Sequence, residues 1–240
     1  MIFLKALKRK LKKYKEHRKL LKKIKCARAD NEICINPQDI EYIVLDVQGK
    51  NNKITIAKLS NENKGKIKIR VFGDNCTIKI EENLCVISNL TITLGQNHSF
   101  HGKIKHTFCS IGKNVRMEDV VITTYNSNNQ ISIGNDCLFS LGVCLYNTDG
   151  HPIYDVTTGK LLNYVSDMTI GHNCWIGYKA TLLKGTVLPN GTIVGWGSVV
   201  CKKFTEENTA IAGNPAKIIR RNLLFKRGGD IEYINNERGL

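Results

Sequence analysis

From residue 170 the chain repeats every six residues without a slip. Ile170, Ile176, Leu182, Leu188, Val194 and Val200 mark the period, and four positions after each come Cys174, Ala180, Thr186, Thr192, Ser198 and Phe204, five small residues and one exception. Glycine follows the aliphatic residue at 171, 177 and 195. A helix cannot produce this pattern, because six is not a multiple of its ~3.6-residue turn. A simple meander would turn every ~10 residues. Self-similarity at six residues marks a parallel β-helix, in which each six-residue side points one aliphatic residue inward. The pattern returns at "IGKNVR" (111) and "ISIGNDC" (131), and more loosely back to about residue 32, where "IKIRVFG" and "LTITLG" alternate as strands do. The expected fold class is all-β, with the β-helix over residues 30–205.

One long stretch, 145–169, leaves the register, and a long excursion from a regular solenoid is usually functional. It carries "NTDGHPIYD", with His151 between Asp149 and Asp155. After residue 205 the repeat stops. "AGNPAKIIRRNLLF" reads as a loop followed by a helix starting near Pro215, within a C-terminal cap over 206–240.

At the other end, residues 1–29 hold 13 Lys and Arg against Glu16 alone, so this segment carries +12 of the net +15. Residues 2–25 lack Gly and Pro, and Leu4, Leu7, Leu11, Tyr14, Leu21 and Ile24 form one stripe, which predicts a basic amphipathic α-helix. Such a helix lies on an anionic membrane surface or pairs with copies of itself. Aromatic residues for base stacking are nearly absent from it, so nucleic acid is not the expected partner. Nine cysteines without a CxxC pair, in a chain of 240 residues, read as free thiols of a reducing cytoplasm. Cys109, Cys137, Cys174 and Cys201 fall in periodic segments, where a thiol serves as a small core hydrophobe. No apolar run reaches the ~18 residues of a membrane span.

The linked motifs "FS", "TDGHPIYD", "IGHNCWIG", "VGWGSVV" and "AGNPAKIIR" resemble, in order and spacing, the hexapeptide-repeat acyltransferases, which include galactoside, maltose and polysaccharide O-acetyltransferases. The resemblance covers about residues 105–222. It implies a left-handed β-helix, a homotrimer with active sites between subunits, and acetyl-CoA as donor. By motif, His151 matches the family's catalytic histidine, with Asp149 or Asp155 as its carboxylate partner. Tyr178, Trp196, Cys201, Lys202, Lys217 and Arg220 match coenzyme-binding positions, and Trp175 matches a tryptophan near the histidine that lines the acceptor site or plugs the cleft. Trp196 departs from the small residue usual at its position. The family's sugar-contacting asparagine has no clear counterpart in "MEDVVITTY", which argues against a galactoside-type acceptor.

The implied function is O-acetylation of a carbohydrate hydroxyl on a bacterial surface glycan, of capsule or lipopolysaccharide type, in the cytoplasm or on the cytoplasmic face of the inner membrane. N-acetylation of an amino sugar is the alternative within the enzyme class, and a silent trimeric scaffold the alternative outside it. The γ-type carbonic anhydrases share the fold and bind zinc through three histidines; His98, His101 and His106 have a usable spacing. That segment lacks the strict register, and such an enzyme needs neither the His151 loop nor "AGNPAK", so no metal is expected. The basic leader generates a test. The full chain should sediment with anionic vesicles at low salt and be released as salt screens the charge, whereas a chain lacking residues 1–29 should stay in the supernatant and keep its turnover. Dissociation of the truncated assembly would make the helix an assembly element instead.

Overall fold

The computed structural model describes residues 24–26, 30–96 and 103–227. Strands pair in parallel with their equivalents one coil before and one coil after. One side of the β-helix is a seven-stranded sheet in the spatial order Val187–Leu188, Met168–Ile170, Gln130–Ile133, Phe108–Ile111, Thr77–Ile80, Lys53–Ile56 and Glu32–Ile35. A 13-stranded sheet wraps the other two sides. Its earlier members are long, such as Cys85–Leu94, Arg116–Thr124 and Leu138–Tyr146, and turn the corner within one strand at a break in register beside Asp119. Toward the C-terminus the same path splits into two short strands per coil, Trp175–Ile176 with Thr181–Leu183, then Ile193–Val194 with Val199–Val200.

The six-residue period follows from this stacking. Thr169 pairs with Val187, Trp175 with Ile193 and Thr181 with Val199, in each case three hexapeptide sides further along the chain, which is one full coil. Ile170, Ile176, Leu182, Leu188, Val194 and Val200 are all buried, as are Cys174, Ala180, Thr186, Thr192, Ser198 and Phe204. The inward hydroxyls stay satisfied: Thr186 Oγ1 donates to the carbonyls of Leu183 (2.7 Å) and Val200 (3.0 Å), and Thr192 Oγ1 to Pro189 (2.8 Å). A small side chain is needed there to reach the turn carbonyls without filling the corner.

Two further corner positions are fixed by close approach and by backbone sign. A Cβ on Gly177 would lie 2.5 Å from the Val194 carbonyl oxygen of the next coil, so no side chain fits. Two residues on, the chain enters the left-handed region every sixth residue, at Asn173, Lys179, Gly185, Gly191 and Gly197. Asn and Gly accept that conformation at low cost; Lys179 is the exception.

Three expectations need correction. The strand Ile24–Cys26 pairs in parallel with Leu45–Val47, so the segment expected as helix ends as part of the sheet; residues 1–23 lie outside the described residues. No helix starts at Pro215. Ala216–Arg220 forms a strand antiparallel to Ala210–Gly213, because the last coil offers an open sheet edge that a returning strand can pair with. Cys201 is exposed, since it falls one residue past the inward Val200, whereas Cys109, Cys137 and Cys174 are buried. Burial pushes the Cys109 thiol up to about 12, which keeps it inert. His98 and His101 also lie outside the described residues. Among those described, no helix is long and apolar enough to cross a membrane.

The stacking predicts a steep contrast between positions. Leu182→Ala should lose about 2–5 kcal/mol in urea unfolding, as for other buried Leu truncations. Val156→Ala, at a fully exposed position, should change stability by no more than about 0.5 kcal/mol.

Candidate active site

The excursion roughly doubles the length of one coil: Ser132 pairs with Thr169 at an offset of 37, and the next coil, from Thr169 to Val187, is about half as long. Its two ends are held together by buried polar side chains of the coil beneath. Asn129 Nδ2 donates to the Ser166 carbonyl (3.0 Å) at the returning end. Asn129 Oδ1 accepts from Asn147 Nδ2 (2.8 Å) at the departing end and from Thr124 Oγ1 (2.9 Å). Asn126 Nδ2 adds a bond to the Asn147 carbonyl (3.0 Å). Thr124, Asn129 and Asn147 are buried, so these bonds form away from competing water and fix where the loop leaves the solenoid.

Beyond this base the chain folds back on itself as an irregular hairpin. Leu162 N donates to the Ile153 carbonyl (2.8 Å) and Asp155 N to Lys160 (2.8 Å). Asp155 Oδ1 accepts from the amides of Thr157 (3.0 Å) and Thr158 (2.6 Å) and from Thr158 Oγ1 (2.9 Å). Those bonds, the Thr158 amide first, hold the Asp155 carboxyl below the usual carboxylate range. Asp155 thus closes the tip of the hairpin.

Asp149 is placed differently. Its Oδ2 accepts from Asn163 Nδ2 (2.8 Å) and pairs with the Lys184 ammonium, which reaches over from the next coil. The same Asn163 Nδ2 donates to the His151 carbonyl (2.8 Å), and Asn163 Oδ1 accepts from Ile153 N (2.7 Å). His151, Asp149, Asn163 and Lys184 line one cavity of about 450 Å³. Tyr125, Asn126, Ser127 and Asn128, from the coil below, line it as well, so polar groups converge on the histidine.

Register sorts the other candidate residues into two corners. Cys144 pairs with Thr181 and Thr181 with Val199, which sets Asn147, Lys184 and Lys202 above one another at the corner from which the excursion leaves; Cys201 adjoins it. Tyr178 and Trp196 occupy another corner, one coil apart, with ring centroids 4.6 Å apart at 61°. Lys217 pairs with Ala212, whose Cβ lies against Gly195, so the terminal hairpin extends that second corner; Arg220 follows on the same strand. Trp175 stands on the side leading to this corner, donating from Nε1 to Ser140 Oγ (3.3 Å) with the Phe225 ring 6.0 Å away. It does not line the His151 cavity, nor does Asp155. Lys184, Asn163 and Asn129 carry no motif, and the excursion hides the separation of 35 residues across which Lys184 meets Asp149.

The chain shares its parallel β-helix with known acetyltransferases. No family model matches. The polysialic acid O-acetyltransferase of Neisseria meningitidis is 33% identical over 192 residues, 75% of this chain and 88% of that one. The polysialic acid O-acetyltransferase of Escherichia coli O1:K1 / APEC is 33% identical over 108 residues, which span 45% of this chain and 35% of that enzyme. The crystal structure of the polysialic acid O-acetyltransferase OatWY superposes with a TM-score of 0.68 at 30% identity, covering 88% of this chain and 94% of that one. The chain belongs to the hexapeptide-repeat, left-handed β-helix acyltransferases, in their O-acetyltransferase branch.

The polar base of the excursion can be tested alone. Asn129→Ala should cost about 1–3 kcal/mol, the range for leaving buried partners unpaired, and limited proteolysis should then cut between residues 147 and 167 faster than in the wild type.

Proposed function

We propose that the chain transfers acetyl from acetyl-CoA to a hydroxyl of a bacterial surface glycan, with His151 as general base. The observation that carries this reading is the convergence of His151, Asp149, Asn163 and Lys184 on one cavity at the foot of the excursion. The two relatives and the solved structure named above all act on polysialic acid, which supports an acidic capsular polymer as acceptor.

In this reading, His151 takes the proton of the acceptor hydroxyl as its oxygen bonds to the thioester carbonyl carbon. The carbonyl π-electrons move to oxygen, where a backbone N–H of a neighbouring coil stabilises the charge. Collapse of the tetrahedral species breaks the carbon–sulfur bond, and the imidazolium returns the proton to the leaving CoA thiolate. Transfer is direct, so no cysteine carries the acyl group. Asp149 is the favoured carboxylate partner, because it lines the cavity while Asp155 Oδ1 is engaged in the hairpin tip.

Tyr178, Trp196 and Lys217 at the second corner, with Arg220 farther along the hairpin strand beside Ala210, would suit a coenzyme with a pantetheine arm and a charged 3′-phosphate end. Cys201 and Lys202 sit at or beside the first corner, which bears the excursion. One side of the β-helix separates the two corners within a chain, and a homotrimer would join the first corner of one subunit to the second of its neighbour. The basic residues of segment 1–29 that precede the strand Ile24–Cys26 would hold the trimer at the cytoplasmic membrane face where such polymers are assembled.

Single variants decide the base. His151→Ala should keep the fold and its affinity for acetyl-CoA while kcat falls by on the order of 10²–10⁴. Asp149→Asn should lose more activity than Asp155→Asn. Thiol release measured across acceptors should be highest with a sialic acid polymer. Retention of more than about a tenth of wild-type kcat by His151→Ala would remove the histidine from the role of base.

A further inference from the structure

The excursion is an appendage to a rigid solenoid, and a base on an appendage must be held still to act. Asn129 and Asn147 fix only its foot. Past Thr148, the ion pair of Asp149 with Lys184 ties the His151 segment to the next coil. Lys184 directly follows the strand Thr181–Leu183, whose middle residue Leu182 is part of the core, so its main chain is as fixed as the β-helix itself. Its side chain is only 15% exposed, against 34% for Asp149, so the pair is better shielded than the other described ion pairs, in which each partner is at least 31% exposed. From Asp149 Oδ2 the contacts continue without a break through Asn163 Nδ2 to the His151 carbonyl.

We infer that Lys184 is a positioning residue for catalysis, and that Asn163 passes its hold to His151. Lys184 does not touch the reacting atoms. It pins Asp149 to the next coil, and the Asn163 carboxamide, bonded to Asp149, His151 and Ile153 at once, sets the height of the histidine main chain over the cavity. Both bonds to Asp149 fall on Oδ2, which leaves Oδ1 as the atom able to orient the imidazole. A misplacement of about 1 Å at a reacting group can cost on the order of 10²-fold in rate, so a clamp of this kind matters to turnover even though it adds little to global stability. The inference rests on His151 acting as base.

Steady-state kinetics of the full chain with acetyl-CoA and a sialic acid polymer test it. Lys184→Met keeps the aliphatic stem and removes the cation. Its kcat should fall about tenfold to a hundredfold, with KM for donor and acceptor within about threefold of wild type. Lys184→Arg should recover most of the activity, since a guanidinium can pair with the same carboxylate. Asn163→Asp, nearly isosteric, sets a carboxylate against Asp149 and the His151 carbonyl and should lose as much as Lys184→Met. In an Asp149→Asn background, Lys184→Met should lower kcat by less than about threefold more, because the two act in series. The thermal transition of each variant checks the fold. Unchanged kcat in Lys184→Met, or a rise in acceptor KM at constant kcat, would overturn the clamp and, in the second case, make Lys184 a direct acceptor contact. Either outcome beside an inactive His151→Ala leaves the base assignment standing, whereas an active His151→Ala overturns both.

Discussion

The stacking of coils in register governs the rest of this molecule. Neighbouring parallel strands lie about 4.8 Å apart, so every residue sits on its equivalent from the coil before. Ile170 and Leu188, or Thr181 and Val199, are such equivalents. A side chain that fits one coil must fit all, and for this reason glycine recurs where a Cβ would strike the next coil's backbone, as at Gly177. Polar residues obey the same rule at the corners, where Asn83 Nδ2 donates to Asn114 Oδ1 (2.9 Å) and Asn114 Nδ2 to Asp136 Oδ1 (3.0 Å). Such ladders satisfy side-chain amides that a solitary corner would leave to solvent.

A scaffold of this regularity offers chemistry only at its interruptions. The sides present alternating residues at fixed spacing, and their inward half is committed to the core. The excursion between Tyr146 and Met168 escapes both limits. It costs loop-closure entropy, a cost that grows only slowly with length, and the Thr124, Asn129 and Asn147 network offsets part of it. The buried Asn147 Oδ1 has no hydrogen-bond partner among the described residues.

The two aspartates beside His151 show how environment divides equal residue types. Both are near neighbours of the histidine in sequence, and each bears one carboxyl. Asp155 accepts three hydrogen bonds from the next turn and stabilises the hairpin tip. Asp149 faces the next coil and receives a cation from it. The same division separates the two exposed corners, one bearing the excursion with Lys184 and Lys202, the other the Tyr178 and Trp196 rings and the hairpin with Lys217.

The architecture was legible in the residues alone. Hexapeptide spacing in Ile170, Ile176, Leu182 and their successors, with small residues four places on, admits little other than a parallel β-helix, because the coil period is written into local composition. The break in that period located the excursion, and the motif around His151 identified the candidate base. Beyond position 205 local pattern misleads: "PAKIIRR" has no breaker against a helix, yet the open sheet edge at Ala210–Gly213 captures it as a strand. Contacts across the excursion likewise exist only in the closed fold. Lys184 meets Asp149 from 35 residues away because two chain segments of different length return to the same corner, and Asn163 reaches the His151 carbonyl because the hairpin folds back on Asp155. Local pattern fixes a repeat, since each side needs the same residues. The partner of a side chain in a loop depends on where the loop ends are anchored, and that is settled only when the coils have stacked.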